Sequence, residues 1–233
     1  MSSETAAQDF FASQLKYPRV QVSWKEKKTM LTALLTNAGL STTDLRIFIR
    51  AFKEQDKLEV WAKKGADVQW KLLKDYPVCS KSGQPGPKVM QGDGQVPEGV
   101  YSIDRFNPAS SYYLSLGVSY PNTIDKIRSR GVAPGGDIFI HGNCVTIGCL
   151  PLTDDLIKEV YLLAVLAKSS GQTSIPVHIF PFRMEEAITR IALKTEQGEK
   201  WDVFWKNLQV IYADFESTKQ LKTWQVSKTG GYE

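Results

Sequence analysis

The chain has few of the residues that most often mark a site. Among 233 residues there are three cysteines and two histidines, which excludes a disulfide-framed miniature fold and leaves no paired Cys-x-x-Cys zinc knuckle. Lysine and arginine exceed aspartate and glutamate only by 29 against 25, and the charges are dispersed, so the basic stripe of a nucleic-acid binder is missing. No apolar run approaches the roughly 20 residues that span a bilayer. No internal repeat or low-complexity tract is visible, which excludes solenoids. What remains is ordinary: 42% hydrophobic and 23% charged residues suffice for one decorated domain with a sizeable core. Residues 1–20 have neither a basic start nor an apolar leader core, so a chain working in the cell envelope is expected to have had its leader removed.

The first 55 residues read as helical. Ser23 with Glu26 has the form of a capping box ahead of Met30, Leu31, Leu34 and Leu35, and Gly39 is placed to stop that helix. Ser41 with Asp44 repeats the start signal, and Leu45, Ile47, Phe48, Ile49, Ala51 and Phe52 predict a second helix covered on more than one face. From Leu58 the period is that of strands. Residues 58–62 and 69–78 flank a turn at 64–67 and predict a hairpin. The glycines and prolines of 80–97 predict a long surface loop. Further strands are expected at 100–103, 112–118 and 137–140, with His141 at the end of the last. Thr153-Asp154-Asp155 starts a helix with acidic residues at its positive end. A strand at 175–180, helices at 184–193 and 201–215 and a last strand at 222–226 complete the reading.

The chemistry concentrates in His141-Gly142-Asn143-Cys144-Val145-Thr146-Ile147-Gly148-Cys149-Leu150. A cysteine nucleophile needs its thiolate, and a thiol with an ordinary pKa of about 8.5 is only a few per cent ionised at neutral pH. An imidazole is the side chain suited to take that proton, and His141 lies eight positions from Cys149 across a loop. Gly148 lets the backbone turn sharply and leave the Gly148 and Cys149 amides open as donors to an oxyanion. The rival is a zinc site made of His141, Cys144, Cys149 and Cys79, right in ligand number but poor in spacing. Cys144 is expected to pack in the core, with a redox partnership to Cys79 or Cys149 as the alternative. His178 reads as a strand residue among apolar neighbours.

At these residues the sequence resembles the L,D-transpeptidase catalytic domain of the YkuD type, in particular its YafK-like murein branch. The family pattern is His-Gly at a strand end, a loop, then Ser/Thr-His-Gly-Cys followed by an apolar residue, commonly an arginine, and another apolar residue. Here His141-Gly142 matches the first part and Thr146-Ile147-Gly148-Cys149-Leu150-Pro151-Leu152 the second, with Ile147 at the motif histidine, Pro151 at the frequent arginine and a shorter loop between. Val96-Pro97-Glu98-Gly99-Val100-Tyr101-Ser102-Ile103, and Tyr120-Pro121-Asn122 with Asp125, also resemble the family. The likeness covers about 58–182.

The resemblance implies a mostly β catalytic domain over 57–182, a curved mixed sheet sandwich; with the helical extensions read over 1–56 and 183–233, outside the likeness, the expected fold is α+β. It implies that Cys149 is the nucleophile, His141 its base and the Gly142 carbonyl the acceptor that fixes the imidazole tautomer. Thr146, Tyr120 and Arg183 are candidate substrate contacts, Arg183 or Lys126 standing in for the absent arginine. The expected substrates are peptidoglycan stem peptides, attacked at the L-centre carbonyl of meso-diaminopimelate to give a thioacyl enzyme. An amine would resolve it as a transpeptidase. Water would resolve it as a carboxypeptidase or amidase, releasing a D-residue or a peptidoglycan-attached lipoprotein. A noncatalytic peptidoglycan-binding module is the further alternative. No cofactor and no metal is implied, and the place of action is the periplasm or cell envelope.

Overall fold

The computed structural model describes residues 10–227 and 230–233, with only the backbone of Arg190. The first nine residues of the expected 1–56 extension therefore lie outside the described residues. Eight strands form one sheet in the order β3-β2-β1-β8-β4-β5-β6-β7. They are β1 (Leu45–Phe52), β2 (Lys57–Lys64), β3 (Lys71–Pro77), β4 (Gly99–Asn107), β5 (Ser115–Val118), β6 (Phe139–His141), β7 (Leu150–Pro151) and β8 (Pro176–Phe180). After helical residues at 10–14, the helices are α1 (Pro18–Asn37), α2 (Thr123–Arg128), α3 (Asp154–Ser169), α4 (Glu186–Ala192) and α5 (Glu196–Thr218). The expected hairpin is β2 against β3, antiparallel with a bulge between Val60 and Trp61.

The segment expected as a second helix is instead β1, a strand inside the sheet, antiparallel to β2 and parallel to β8. Its residues divide by strand period. Leu45, Ile47, Ile49 and Ala51 enter the main core, whereas Phe48 and Phe52 enter two clusters built with α5. A strand covered on both faces carries apolar residues on each, and that removes the alternation by which strands are recognised. Asp44 caps no helix; its Oδ1 accepts the Gly65 N–H at 3.0 Å.

Helix α1 also begins earlier than the Ser23 capping box. Pro18 opens it, where a missing N–H costs nothing, and Ser23 lies buried inside it, donating to the Arg19 carbonyl at 2.6 Å. Its end is as read: Gly39 has φ +72°, its N–H reaches Thr36 O and the Leu40 N–H reaches Leu35 O, the paired bonds of a Schellman stop. Thr153 caps α3 by accepting the Leu156 N–H, and α1 and α3 cover one face of the sheet, closing the main core. On the other face Phe204, Trp205, Leu208, Ile211 and Tyr212 of α5 pack with Phe52, Phe180 and Phe182. The strand expected at 222–226 does not form. Only Val226 bridges, to Tyr232, and the tail is held by the Tyr232 hydroxyl, which accepts the Val100 N–H at 2.8 Å.

Candidate active site

His141 ends β6, paired with Ser115 of β5 on one side and Pro151 of β7 on the other. Its Nδ1 lies 2.6 Å from the Gly142 carbonyl. A carbonyl only accepts, so Nδ1 carries the hydrogen and Nε2 is the basic nitrogen. Burial lowers the pKa of His141, opposed by the Gly142 carbonyl, so the ring is a neutral base at neutral pH. The Tyr112 ring lies 4.7 Å away, centre to centre. Position 142 has no room for a side chain: a Cβ there would meet Asp154 Oδ1 at 2.5 Å and Tyr112 O at 2.9 Å. Asp154, in the first turn of α3, also accepts the Asn143 N–H at 2.8 Å, so the helix start anchors the loop leaving the histidine.

Cys149 precedes β7, and the free thiol lies beside β6. Its Sγ accepts the Phe139 N–H at 3.4 Å and donates to Asp137 O at 3.7 Å. Burial raises the pKa of this thiol, the Phe139 donor and Lys88 pull it down, and the Asp137 carboxylate adds to the rise. The group therefore rests protonated and needs a base. The parallel register Ile140 to Leu150 and His141 to Pro151 sets the segment that carries Cys149 alongside β6, which His141 ends. Their hydrogen bonds differ: the thiol's go to Phe139 and Asp137, the imidazole's to Gly142.

The turn before Cys149 departs from expectation. The Gly148 and Cys149 amides, read as open donors, both donate to Thr146 Oγ1, at 3.2 and 2.8 Å, and that hydroxyl donates to the Cys149 carbonyl at 2.9 Å. Thr146, read as a substrate contact, is thus the clasp of the turn that carries Cys149. Gly148 has φ +135°, and a Cβ there would approach Gln95 O to 3.0 Å, so both conformation and space call for glycine. Ile147, at the motif histidine, is 89% exposed.

Cys144 is exposed and not in the core. It forms a disulfide with Cys79, with Cα atoms 5.4 Å apart. The Cys79 N–H donates to Pro151 O at 3.0 Å, so this bridge ties the 142–149 loop to the segment after β3 and to β7. Two of the four proposed zinc ligands are thereby spent. Among the described residues no group of three or more His, Cys, Asp or Glu is placed to hold a metal ion.

Beside Cys149 lies a cavity of about 200 Å³, walled by Phe52 at the end of β1, by Lys53 and Asp56 from the turn after it and by Lys81 and Gly83 from the 80–97 loop. Sequence reasoning missed these charged residues. Lys53 is buried, which lowers its pKa against the opposing pull of Glu98, and it donates to Gly86 O, Val96 O and Glu98 Oε1 at 2.7, 2.9 and 2.9 Å. Glu98 also accepts from Trp205 Nε1 of α5 at 2.9 Å, so the loop wall is braced from the C-terminal helix. The other candidates are occupied elsewhere. Tyr120 is buried, its hydroxyl donating to Pro134 O at 3.0 Å. Arg183 donates to Glu59 and lies over the Phe52 ring. Lys126 sits on α2. His178 is a buried β8 residue 4.7 Å from the Phe48 ring, and burial with the nearby Arg50 lowers its pKa to about 3.

No family model matches the chain. It is 37% identical over 179 residues to "Putative L,D-transpeptidase YafK" of Escherichia coli (strain K12), covering 76% of this chain and 69% of the relative, and the O157:H7 protein of that name matches equally. Among solved structures it is similar to the helical cell shape determining protein Pgp2 from Campylobacter jejuni, with TM-score 0.47, 18% identity and coverage of 84% and 80% of the two chains. Bdellovibrio bacteriovorus Bd1075 matches with TM-score 0.41, 22% identity and coverage of 74% and 71%.

Proposed function

The chain belongs to the L,D-transpeptidase family, and on that premise we propose that it is a cysteine acyl-transfer enzyme whose nucleophile is Cys149. The observation that carries this reading is the tautomer of His141: with Nδ1–H held by the Gly142 carbonyl, the free Nε2 is a neutral base on the strand next to the free thiol. Nε2 takes the proton from Sγ as sulfur attacks the substrate carbonyl, then gives it to the leaving amine as the tetrahedral intermediate collapses to a thioester. The transfer needs a donor–acceptor distance of about 3 Å, and such contacts often tighten only when substrate is bound. Stabilising the oxyanion requires the Gly148 and Cys149 amides to exchange Thr146 Oγ1 for the substrate oxygen. Amine or water then resolves the thioester.

The substrates in this reading are peptidoglycan stem peptides, attacked at the L-centre carbonyl of meso-diaminopimelate, as the family resemblance implies. The Cys79–Cys144 disulfide supports an oxidising compartment such as the periplasm. No helix among the described residues is long and apolar enough to cross a membrane.

The clasped amides also support a second reading, a noncatalytic module that binds stem peptides. Mass analysis of purified muropeptides after incubation with the protein separates the two. Shortened stems, new crosslinks or release of an attached protein, each lost in Cys149→Ala, are expected. Unchanged muropeptides that nonetheless bind would establish the module.

A further inference from the structure

The cavity beside Cys149 carries opposite charges on one wall. Lys81 Nζ lies 2.8 Å from Asp56 Oδ2, the two side chains being 56% and 37% exposed, and both line the cavity. Lys81 Nζ also donates to the Glu54 carbonyl at 3.0 Å. The Asp56 backbone is held in the turn after β1, where its carbonyl accepts the Val78 N–H at 2.8 Å. The carboxylate is therefore mounted on a fixed turn and the ammonium on a long side chain of the facing loop. The cavity's other cation is not available in this way, because Lys53 is buried and its three donors are committed to Gly86, Val96 and Glu98.

An exposed pair of this kind contributes little to stability, so a ligand bearing both charges displaces it at small cost, each partner trading one counter-charge for another. A neutral ligand offers neither group a counter-charge and does not displace the pair. A singly charged ligand satisfies only one. The match is a group with an ammonium and a carboxylate on the same carbon, the free α-amino acid end of a side chain. We propose that Lys81 and Asp56 form a subsite for such a zwitterionic end, Lys81 taking the carboxylate and Asp56 the ammonium, with Glu54 at the same wall reinforcing selection of the ammonium. This rests on the acyl-transfer reading for its substrate, since meso-diaminopimelate ends its side chain in this group while lysine at the same stem position lacks the carboxylate. Lys81 supplies the carboxylate anchor that Pro151 does not and that Arg183, bound to Glu59, is not free to provide.

The test compares two synthetic stem tetrapeptides, one with meso-diaminopimelate and one with lysine at the third position, against the wild type, Lys81→Met and Lys81→Arg. Turnover is followed by mass spectrometry and binding by calorimetry on Cys149→Ala backgrounds. The wild type should favour the diaminopimelate peptide by on the order of tenfold, the contribution of one charge-assisted hydrogen bond. The preference should sit mainly in KM, vanish in Lys81→Met and survive in Lys81→Arg. An unchanged preference in a folded Lys81→Met protein overturns the subsite and leaves the enzyme reading intact. Lys81-dependent binding without turnover supports the subsite and removes the enzyme reading. Failure of both peptides to bind overturns both.

Discussion

Thr146 holds the backbone of Cys149 from both sides, accepting its N–H at 2.8 Å and donating to its carbonyl at 2.9 Å. With the Gly148 amide as third partner, one hydroxyl fixes the turn that presents the thiol. Thr146→Val keeps the shape but removes every one of these bonds. Because the two amides leave this hydroxyl for the oxyanion, what catalysis loses is the bond to the Cys149 carbonyl and the resting geometry of the turn, so kcat should fall by about tenfold with little change in KM, while Thr146→Ser retains most activity. Equal kcat for Val and wild type would show that the clasp is dispensable.

The thiol and the imidazole are each neutral at rest, the first with its pKa raised by burial and the second with its pKa lowered by burial. Alkylation of Cys149 by iodoacetamide should therefore climb with pH beyond the ordinary thiol range of about 8.5, with no plateau on the acid side. Activity should rise with pH through a value below the ordinary histidine range, because His141 must lose its proton to serve as base. A fast alkylation rate that is flat below pH 7 would instead reveal a preformed thiolate–imidazolium pair.

The disulfide between Cys79 and Cys144 closes a stretch of 65 residues containing much of the cavity wall. Cys79→Ser, Cys144→Ser and the double variant should each lose the same roughly 2 to 4 kcal/mol in urea unfolding, since each removes the one bridge. Losses that add in the double variant would mean that the sulfurs act separately.

His178 should make the fold acid-sensitive. Its folded pKa of about 3 lies below the ordinary 6.5, so the unfolded chain takes up a proton first as pH falls. Stability is full above pH 6.5 and declines from there toward pH 3. Asp125 works in the opposite sense: burial raises its pKa from 3.8 to about 6, favouring the fold as pH drops through that window. Chemical unfolding of His178→Phe at pH 7 and pH 5 isolates the histidine, and the variant should lose less stability than wild type between the two. An equal loss would place the acid sensitivity elsewhere.

Local signals were readable where one residue's geometry decides the outcome. The Gly39 stop, the Thr153 cap, the β2–β3 hairpin and the strand ending at His141 each depend on alternation or capping within a few positions. Strand β1 was not readable, because Leu45, Phe48, Ile49 and Phe52 satisfy a helical spacing as well as two buried sheet faces do. Only the pairing with β2 and β8 settles which. The candidate nucleophile, base and clasp fall within nine consecutive residues and share one motif. Lys53, Asp56 and Lys81 share none: they come from a turn and a loop that meet through the β1–β2–β3 pairing. Three cysteines allow three pairings, and sequence spacing contains nothing that selects Cys79 with Cys144.

The most direct test is to quench the protein with acid during incubation with a meso-diaminopimelate stem tetrapeptide and weigh the peptide that contains Cys149. A mass increase equal to the stem acyl group, labile to hydroxylamine and missing from Cys149→Ala and His141→Ala, is the predicted result. Turnover that persists in Cys149→Ala would contradict it.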